Sequence, residues 1–316
     1  MIDDDKKSDI LWVQESGTGL YLMFIDYRPD DPNSAAGHIH WIPDSDDEEP
    51  AQILATNDPL TTLWASPSGS VWAASAHGNV YTTAKVTWPA PRVKGLDFDS
   101  LDPDVPFQVT TLPATRGTRR PPNVTALWGT SDRDVFAGTY GGTIYHWDGR
   151  KWTEADLGAK RAINAIHGPA GNVFAVGYDD VIAHFDGTEW RRLRDPDGGA
   201  EVLTGVCWTG KQAVICSGSG RLLAATPAQV TTLASSNLPL QCVATLGPRI
   251  LLGAGPKGVA ELRNGVVKVI KDDVLAVNAM TGRDRVYFVE AAQEVSAFVI
   301  YDPEDEDEGP WIVMSF

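Results

Sequence analysis

The chain has 316 residues, 43% of them hydrophobic, enough for one large all-β domain or two ordinary ones. Its 42 acidic and 26 basic residues give a formal net charge of -16, which argues against nucleic acid as a partner, because phosphate-backbone affinity comes from Lys and Arg releasing counterions. The N-terminus lacks an apolar stretch of signal length and the greasy run 20–25 is strand-sized, so the expectation is a cytoplasmic chain without membrane contact.

In chain order, the first set of short apolar runs covers 10–14, 20–27, 38–42 and 52–56. From residue 60 onward a block recurs about every 40 residues. First strands start at Leu60, Val124, Ile163, Leu203, Leu240 and Val277, each with an apolar residue three further on: Leu63, Leu127, Ile166, Val206, Val243 and Met280. Second strands follow at 71–74, 135–138, 173–177, 214–218, 251–255 and 286–289, rich in the residues strands prefer. Third strands are expected at 80–83, 144–147, 181–185, 222–225, 259–262 and 295–300, and fourth strands at 107–112, 151–154, 189–193, 229–233, 266–270 and 311–314. Asp148-Gly149, Asp186-Gly187 and Asn264-Gly265 sit between third and fourth strands, where a tight hairpin needs residues tolerant of positive φ.

Four strands per unit make a propeller blade. The expected fold is an all-β, single-domain β-propeller of seven four-stranded blades, near 9–58, 59–120, 121–160, 161–199, 200–236, 237–272 and 273–316. Blade seven is expected to close on blade one by face packing, with no strand exchanged. A six-bladed ring with an N-terminal decoration is the alternative. Cys207, Cys216 and Cys242 show no metal-ligand spacing and read as buried thiols.

The clearest copy reads Trp128-Gly-Thr-Ser-Asp-Arg-Asp-Val-Phe-Ala-Gly138, then Gly142-Thr-Ile-Tyr-His-Trp-Asp-Gly149 and Trp152. It resembles a bacterial propeller repeat of the pattern W-G-x-S-x-x-D-V-F-A-V-G followed by G-x-I-x-H-x-D-G-x-x-W. The match is good over 124–193, partial over 60–123 and 200–316, and poor before 59. The motif is structural in that family, so the resemblance implies a fold and no particular activity.

Three blades carry extra length between their third and fourth strands, and it is acidic. Blade one supplies Asp44, Asp46, Asp47, Glu48 and Glu49, and blade two Asp97, Asp99, Asp102 and Asp104. Blade seven supplies Asp302, Glu304, Asp305, Glu306, Asp307 and Glu308. Ring closure makes these blades neighbours, which concentrates -13 of the net charge in one arc once Arg92 and Lys94 are counted. Such carboxylates are either solvated loops or an electrostatic recruiting surface for a cationic partner. Trp88 and Trp311 flank two of the insertions, as aromatic anchors flank a charged rim in protein interfaces.

Chemistry is not apparent where propeller enzymes place it. First-strand positions facing the channel hold Thr61, Thr125, Asn164, Thr204, Gln241 and Asn278, followed by Thr62, Ala126, Ala165, Gly205, Cys242 and Ala279, and none is a general acid or base at neutral pH. No catalytic residue, cofactor or metal is therefore assigned. His38 and His40 share a strand face without an identifiable third ligand, while His146 and His184 recur at one repeat position and read as scaffold. The favoured function is non-catalytic binding of a basic protein through the acidic arc, most specifically an immunity-type inhibitor of a basic toxin. The alternatives are a channel enzyme drawing on Asp179, Asp180, Glu290 or Glu294, and a lectin-like or small-ligand module using Trp41, Trp88, Trp208 and Trp311, which have no counterpart in neighbouring repeats.

Overall fold

The computed structural model describes residues 6–45, 47–88, 95–101, 106–193, 200–290, 296–305 and 309–316. Its strands form seven antiparallel sheets, each laid down in chain order from the inside out, so the chain is a seven-bladed β-propeller. The segments Lys7–Glu15, Gly19–Arg28, Asp31–Pro43 and Ala51–Thr56 make a complete first blade, which removes the six-bladed alternative.

Burial explains which strands were clear in the sequence. Second strands lie between two neighbouring blades: Val135, Phe136 and Ala137 are fully buried, as are Val173, Phe174 and Ala175, and so they read as unbroken apolar runs. Outermost strands such as Trp152–Asp156 are largely exposed and correspondingly polar. The hairpin pairs behave as their chemistry demands: Gly149, Gly187 and Gly265 have φ of 85°, 100° and 77°. Asp148 Oδ1 accepts the N–H groups of Arg150 and Lys151 at 2.8 and 2.9 Å, holding the turn from outside.

Each pair of adjacent blades encloses one hydrophobic cluster. Between blades two and three it is built on Trp72, Tyr145 and Trp147. The repeat histidines serve as scaffold: His146 Nε2 bonds Asp134 Oδ1 at 2.7 Å while its ring stacks on Phe136, and His184 Nε2 bonds Asn172 Oδ1 at 2.7 Å. His38 and His40 are bonded to one another at 3.0 Å, and His38 to Asp26 at 3.1 Å.

The ring closes by packing. Ile10, Val13, Leu22 and Phe24 of blade one meet Tyr287, Val289, Phe298 and Ile300 of blade seven. Ser296 pins the seam, its hydroxyl donating to Ser8 O at 2.5 Å and accepting from Ile10 N–H at 3.3 Å. The Phe316 ring bridges Phe24 and Phe298 at 6.1 and 5.9 Å. All three cysteines are free and buried, and burial pushes the Cys216 thiol up to about 12, which makes it inert near neutrality.

Candidate functional site

The innermost strands wall a central channel with a cavity of about 270 Å³. Most begin with a bulge, and the bulged side chain reaches across to the next blade. Thr61 Oγ1 donates to Val124 O at 2.8 Å, Thr125 to Ile163 O at 2.7 Å, Asn164 Nδ2 to Leu203 O at 2.8 Å and Thr204 to Leu240 O at 2.9 Å. Four of the six polar residues read from the sequence are therefore clasps between blades, and a fifth, Asn278, donates from Nδ2 to Leu11 O of blade one at 3.4 Å. In blade seven Ala276 pairs with Glu290 and Asn278 with Val289, so Val277 is the bulged residue and Asn278 lies one step further along than its expected place. The sequence pattern hid this because Ala276 fills the place held by Leu60, Val124, Ile163 and Leu203 in other blades, and the larger apolar Val277 beside it reads as the start of the repeat. Blade one is different again: Trp12 stands where the other blades have Thr62, Ala126, Ala165, Gly205, Cys242 and Asn278, and it lines the channel.

The carboxylates offered for a channel enzyme are otherwise engaged. Asp179 and Asp180 form a turn with φ of 55° and 52°, Asp179 lying 3.8 Å from Arg161 and Asp180 accepting the Glu201 N–H. Glu290 accepts the Leu275 N–H at 3.3 Å, and none of the three lines the channel. Glu294 lies outside the described residues. Among the described residues no group of three His, Cys, Asp or Glu could hold a metal ion, and no helix is long and apolar enough to cross a membrane.

On one face the channel widens into a funnel of about 660 Å³, walled by Trp64, Trp128 and His167 on one side and by Glu15, Met280 and Arg283 on the other. The aromatic rings step from blade to blade, with centroids 6.1 Å apart between Trp64 and Trp128 and 3.9 Å between Trp128 and His167. Hydrogen bonds fix them: Trp128 Nε1 donates to Gly168 O at 2.9 Å, and His167 Nδ1 accepts the Trp208 N–H at 3.1 Å. Desolvation pushes the His167 imidazole down to about 4, so the ring is neutral and, with Nδ1 accepting, its proton sits on Nε2. Glu15 Oε2 accepts the Arg283 N–H at 2.9 Å across the seam.

The acidic loops of blades one and seven rise on this same face. Asp44 N donates to Thr18 O at 3.1 Å, tying the third-to-fourth-strand loop to the turn at the funnel rim. Asp44, Asp47, Glu48 and Glu49 are exposed there. Across the seam Asp302 turns inward to Arg285 at 3.2 Å and accepts the Glu304 N–H, whereas Glu304 is exposed and Asp305 half-buried. Asp46, Asp102, Asp104, Glu306, Asp307 and Glu308 lie outside the described residues.

The described part of the blade-two insertion goes elsewhere. Its segment Phe98–Ser100 pairs with the outermost strand of blade one, Phe98 opposite Thr56 and Ser100 opposite Leu54, making a fifth strand. Thr56 Oγ1 and Asn57 N both donate to Asp97 O, at 2.9 and 3.0 Å, and Phe98 packs edge-on against Tyr81. The pairing satisfies backbone groups that would otherwise be left on an open edge. It also carries Asp97 and Asp99 to the far end of blade one, where they flank a groove with Lys6, Asp26 and His38, apart from Asp44 and its neighbours.

None of the four tryptophans without repeat counterparts stands free. Trp88 is wedged between Trp72 and Trp147, each at 5.6 Å, Trp311 packs on Tyr301 at 4.5 Å beneath Lys271, and Trp208 stacks on Phe174 at 6.0 Å. Trp41 leans on the cluster between blades one and two. The aromatic wall of the funnel comes instead from Trp64, Trp128 and His167. Their shared place near the end of the first strand was the available signal, because that position faces the channel mouth.

No protein-family model matches the chain, and no curated protein matches it. Solved structures do resemble it. The WD40 β-propeller domain of Doa1 is 11% identical over 91% of this chain and 94% of its own, with a TM-score of 0.62. The computationally designed Ika8 protein is 14% identical over 93% and 84%, with a TM-score of 0.60. YCF48, in a structure bound to the D1 peptide, is 11% identical over 82% and 81%, with a TM-score of 0.56. At these identities the likeness is one of fold.

Proposed function

We propose that this propeller is a non-catalytic binding protein that docks a basic protein where blades seven and one meet on the funnel face, and that it acts as an immunity-type inhibitor masking the cationic surface of a toxin such as a nuclease. One observation carries the reading: the Asp44–Glu49 loop and the loop containing Glu304 flank one seam at the funnel rim. Carboxylates spaced within about one Debye length, ~8 Å at physiological salt, repel one another until a cation relieves them. Such a sector raises association rates by roughly 10 to 10³ fold at low salt and loses that gain as salt rises. The peptide held by YCF48 is a precedent, on a propeller of similar fold, for a polypeptide ligand.

The test compares wild type with a variant in which Asp44, Asp47, Glu48, Glu49 and Glu304 become Asn or Gln, leaving Asp302 to hold Arg285. The expected result is capture of a basic protein from bacterial lysate by wild type alone, released by salt, followed by protection of that partner's target. Equal capture by both proteins refutes the reading.

A further inference from the structure

We propose that the groove between blades two and three, on the same face as the funnel, is an oxyanion site that takes a phosphate group. The groove has a volume of about 710 Å³, and three cations line it from three separate segments. Lys85 follows the third strand of blade two, Arg133 lies in the first turn of blade three, and Arg150 lies in that blade's Asp-Gly hairpin. All three are exposed. Among the described residues none of them is within ion-pair distance of a carboxylate, in a chain with 42 acids to 26 bases.

The carboxylates nearby are already engaged. Asp132 Oδ2 accepts from Ser68 and Ser70 at 2.5 and 3.0 Å and Oδ1 from Trp72 Nε1 at 2.9 Å, so it is turned toward blade two. Asp148 Oδ1 is held by the backbone of its own turn. Arg133 is placed by contact: a Cβ on Gly149 would come within 2.8 Å of its Nε, so the guanidinium stem lies along a turn that only glycine leaves open. A guanidinium held in this way presents paired N–H donors suited to two oxygens of one anion, and Lys85 adds a point charge. Charge selects the ligand. The three cations outnumber the one carboxylate that lines the groove, Asp132, by two, and still exceed Asp132 and Asp148 together by one, so the groove favours a phosphate monoester carrying ≈ -1.5 to -2 over a single carboxylate.

This site does not depend on the acidic loops and stands or falls without them. The experiment is calorimetric titration of the full chain with inorganic phosphate at about pH 8 and fixed ionic strength, repeated with acetate. The variants are the double substitution Arg133→Gln/Arg150→Gln and a control, Lys211→Gln/Lys268→Gln, which changes exposed cations elsewhere. Saturable phosphate binding, at least about tenfold weaker in the arginine variant and unchanged in the control, with acetate about tenfold weaker than phosphate, is the expected outcome. No saturable binding by wild type, equal losses in both variants, or equal affinity for acetate overturns the proposal. Unaltered circular dichroism in the variants separates lost binding from lost fold.

Discussion

Asp58 is the most deeply buried carboxylate among the described residues, and its removal is a strict test of how blades one and two are joined. It is 1% exposed. Its Oδ2 accepts from Asn79 Nδ2 at 2.7 Å and Tyr81 OH at 2.9 Å, and its Oδ1 bonds His77 Nδ1 at 2.8 Å. Substitution by Ala strands three donors unequally. The His77 side chain is 60% exposed and turns to water, whereas Asn79 and Tyr81 are fully buried and cannot, Tyr81 keeping only Thr56 Oγ1 at 3.2 Å and Asn79 Nδ2 losing its acceptor. Each buried donor left without an acceptor costs about 1–3 kcal/mol, and breaking a buried charged network from one side costs about 3–5 kcal/mol, so we expect Asp58→Ala to lose about 3–5 kcal/mol. Asp58→Asn keeps an oxygen for Asn79 and Tyr81 and offers its amide to His77, which accepts at Nδ1 in its other tautomer; the cost falls to about 1 kcal/mol. Urea unfolding followed by tryptophan fluorescence measures both, the stability change being the midpoint shift multiplied by an unchanged slope. An Ala variant within about 1 kcal/mol of wild type, or an Asn variant as damaged as the Ala one, refutes the account.

Three further outcomes are expected from the same denaturation assay. Thr125→Val removes the clasp to Ile163 O and should cost about 1 kcal/mol, whereas Val277→Thr, at the bulge position that lacks a hydroxyl, should be neutral or stabilising by up to about 1 kcal/mol. Ser296→Ala unpins the seam, leaving Ile10 N–H without its side-chain acceptor, and should cost about 1–2 kcal/mol, with earlier proteolysis of blade seven as the visible consequence. Arg249, bonded to both oxygens of Glu261 at 2.8 Å, holds that carboxyl below its ordinary 4.5. A folded-state value below the unfolded one gives stability that is fully present above about 4.5 and is lost as pH falls through the lower folded value. Glu261→Gln should therefore be less stable than wild type at pH 7 and converge on it as pH falls below about 4.5 and through the lower folded value; a gap that widens on acidification would contradict this.

The elements that could be read from the sequence are those whose environment is set by the repeat itself. Second strands such as 135–138 are buried on both faces in every blade, so their apolar runs are unbroken, and the Asp-Gly and Asn-Gly pairs are dictated by hairpin geometry. What could not be read depends on contacts between repeats. Phe98–Ser100 carries no strand pattern of its own and becomes a strand because the open edge of blade one needs partners and Tyr81 receives the Phe98 ring. Blade seven reads one residue late in the sequence because its first strand starts on Ala276, a small residue that gives way in the pattern to the larger Val277 beside it. The clasps of Thr125, Asn164 and Thr204 could not be read because their acceptors are backbone carbonyls one repeat, about 40 residues, further along the chain.

The funnel face shows the same division more sharply. A carboxylate run such as Asp44 to Glu49 is contiguous, so sequence displays it, but whether it joins another run depends on where the chain goes next. The blade-seven loop joins it at the seam, and the described part of the blade-two insertion leaves along the edge of blade one. Lys85, Arg133 and Arg150 are the converse case: scattered in sequence, each indistinguishable from a solubilising surface cation, and brought to one groove only by the stacking of two blades. The funnel face thus bears an acidic sector at the seam of blades seven and one and a basic groove between blades two and three, with Trp64, Trp128 and His167 near the funnel mouth. Because exposed charges are screened over about a Debye length, ~8 Å at physiological salt, a docking partner responds to whichever sector it touches rather than to the total of -16. If this face docks a partner as proposed, the choice is accordingly a matter of local charge pattern, and a ligand that engages both sectors must itself be of two signs.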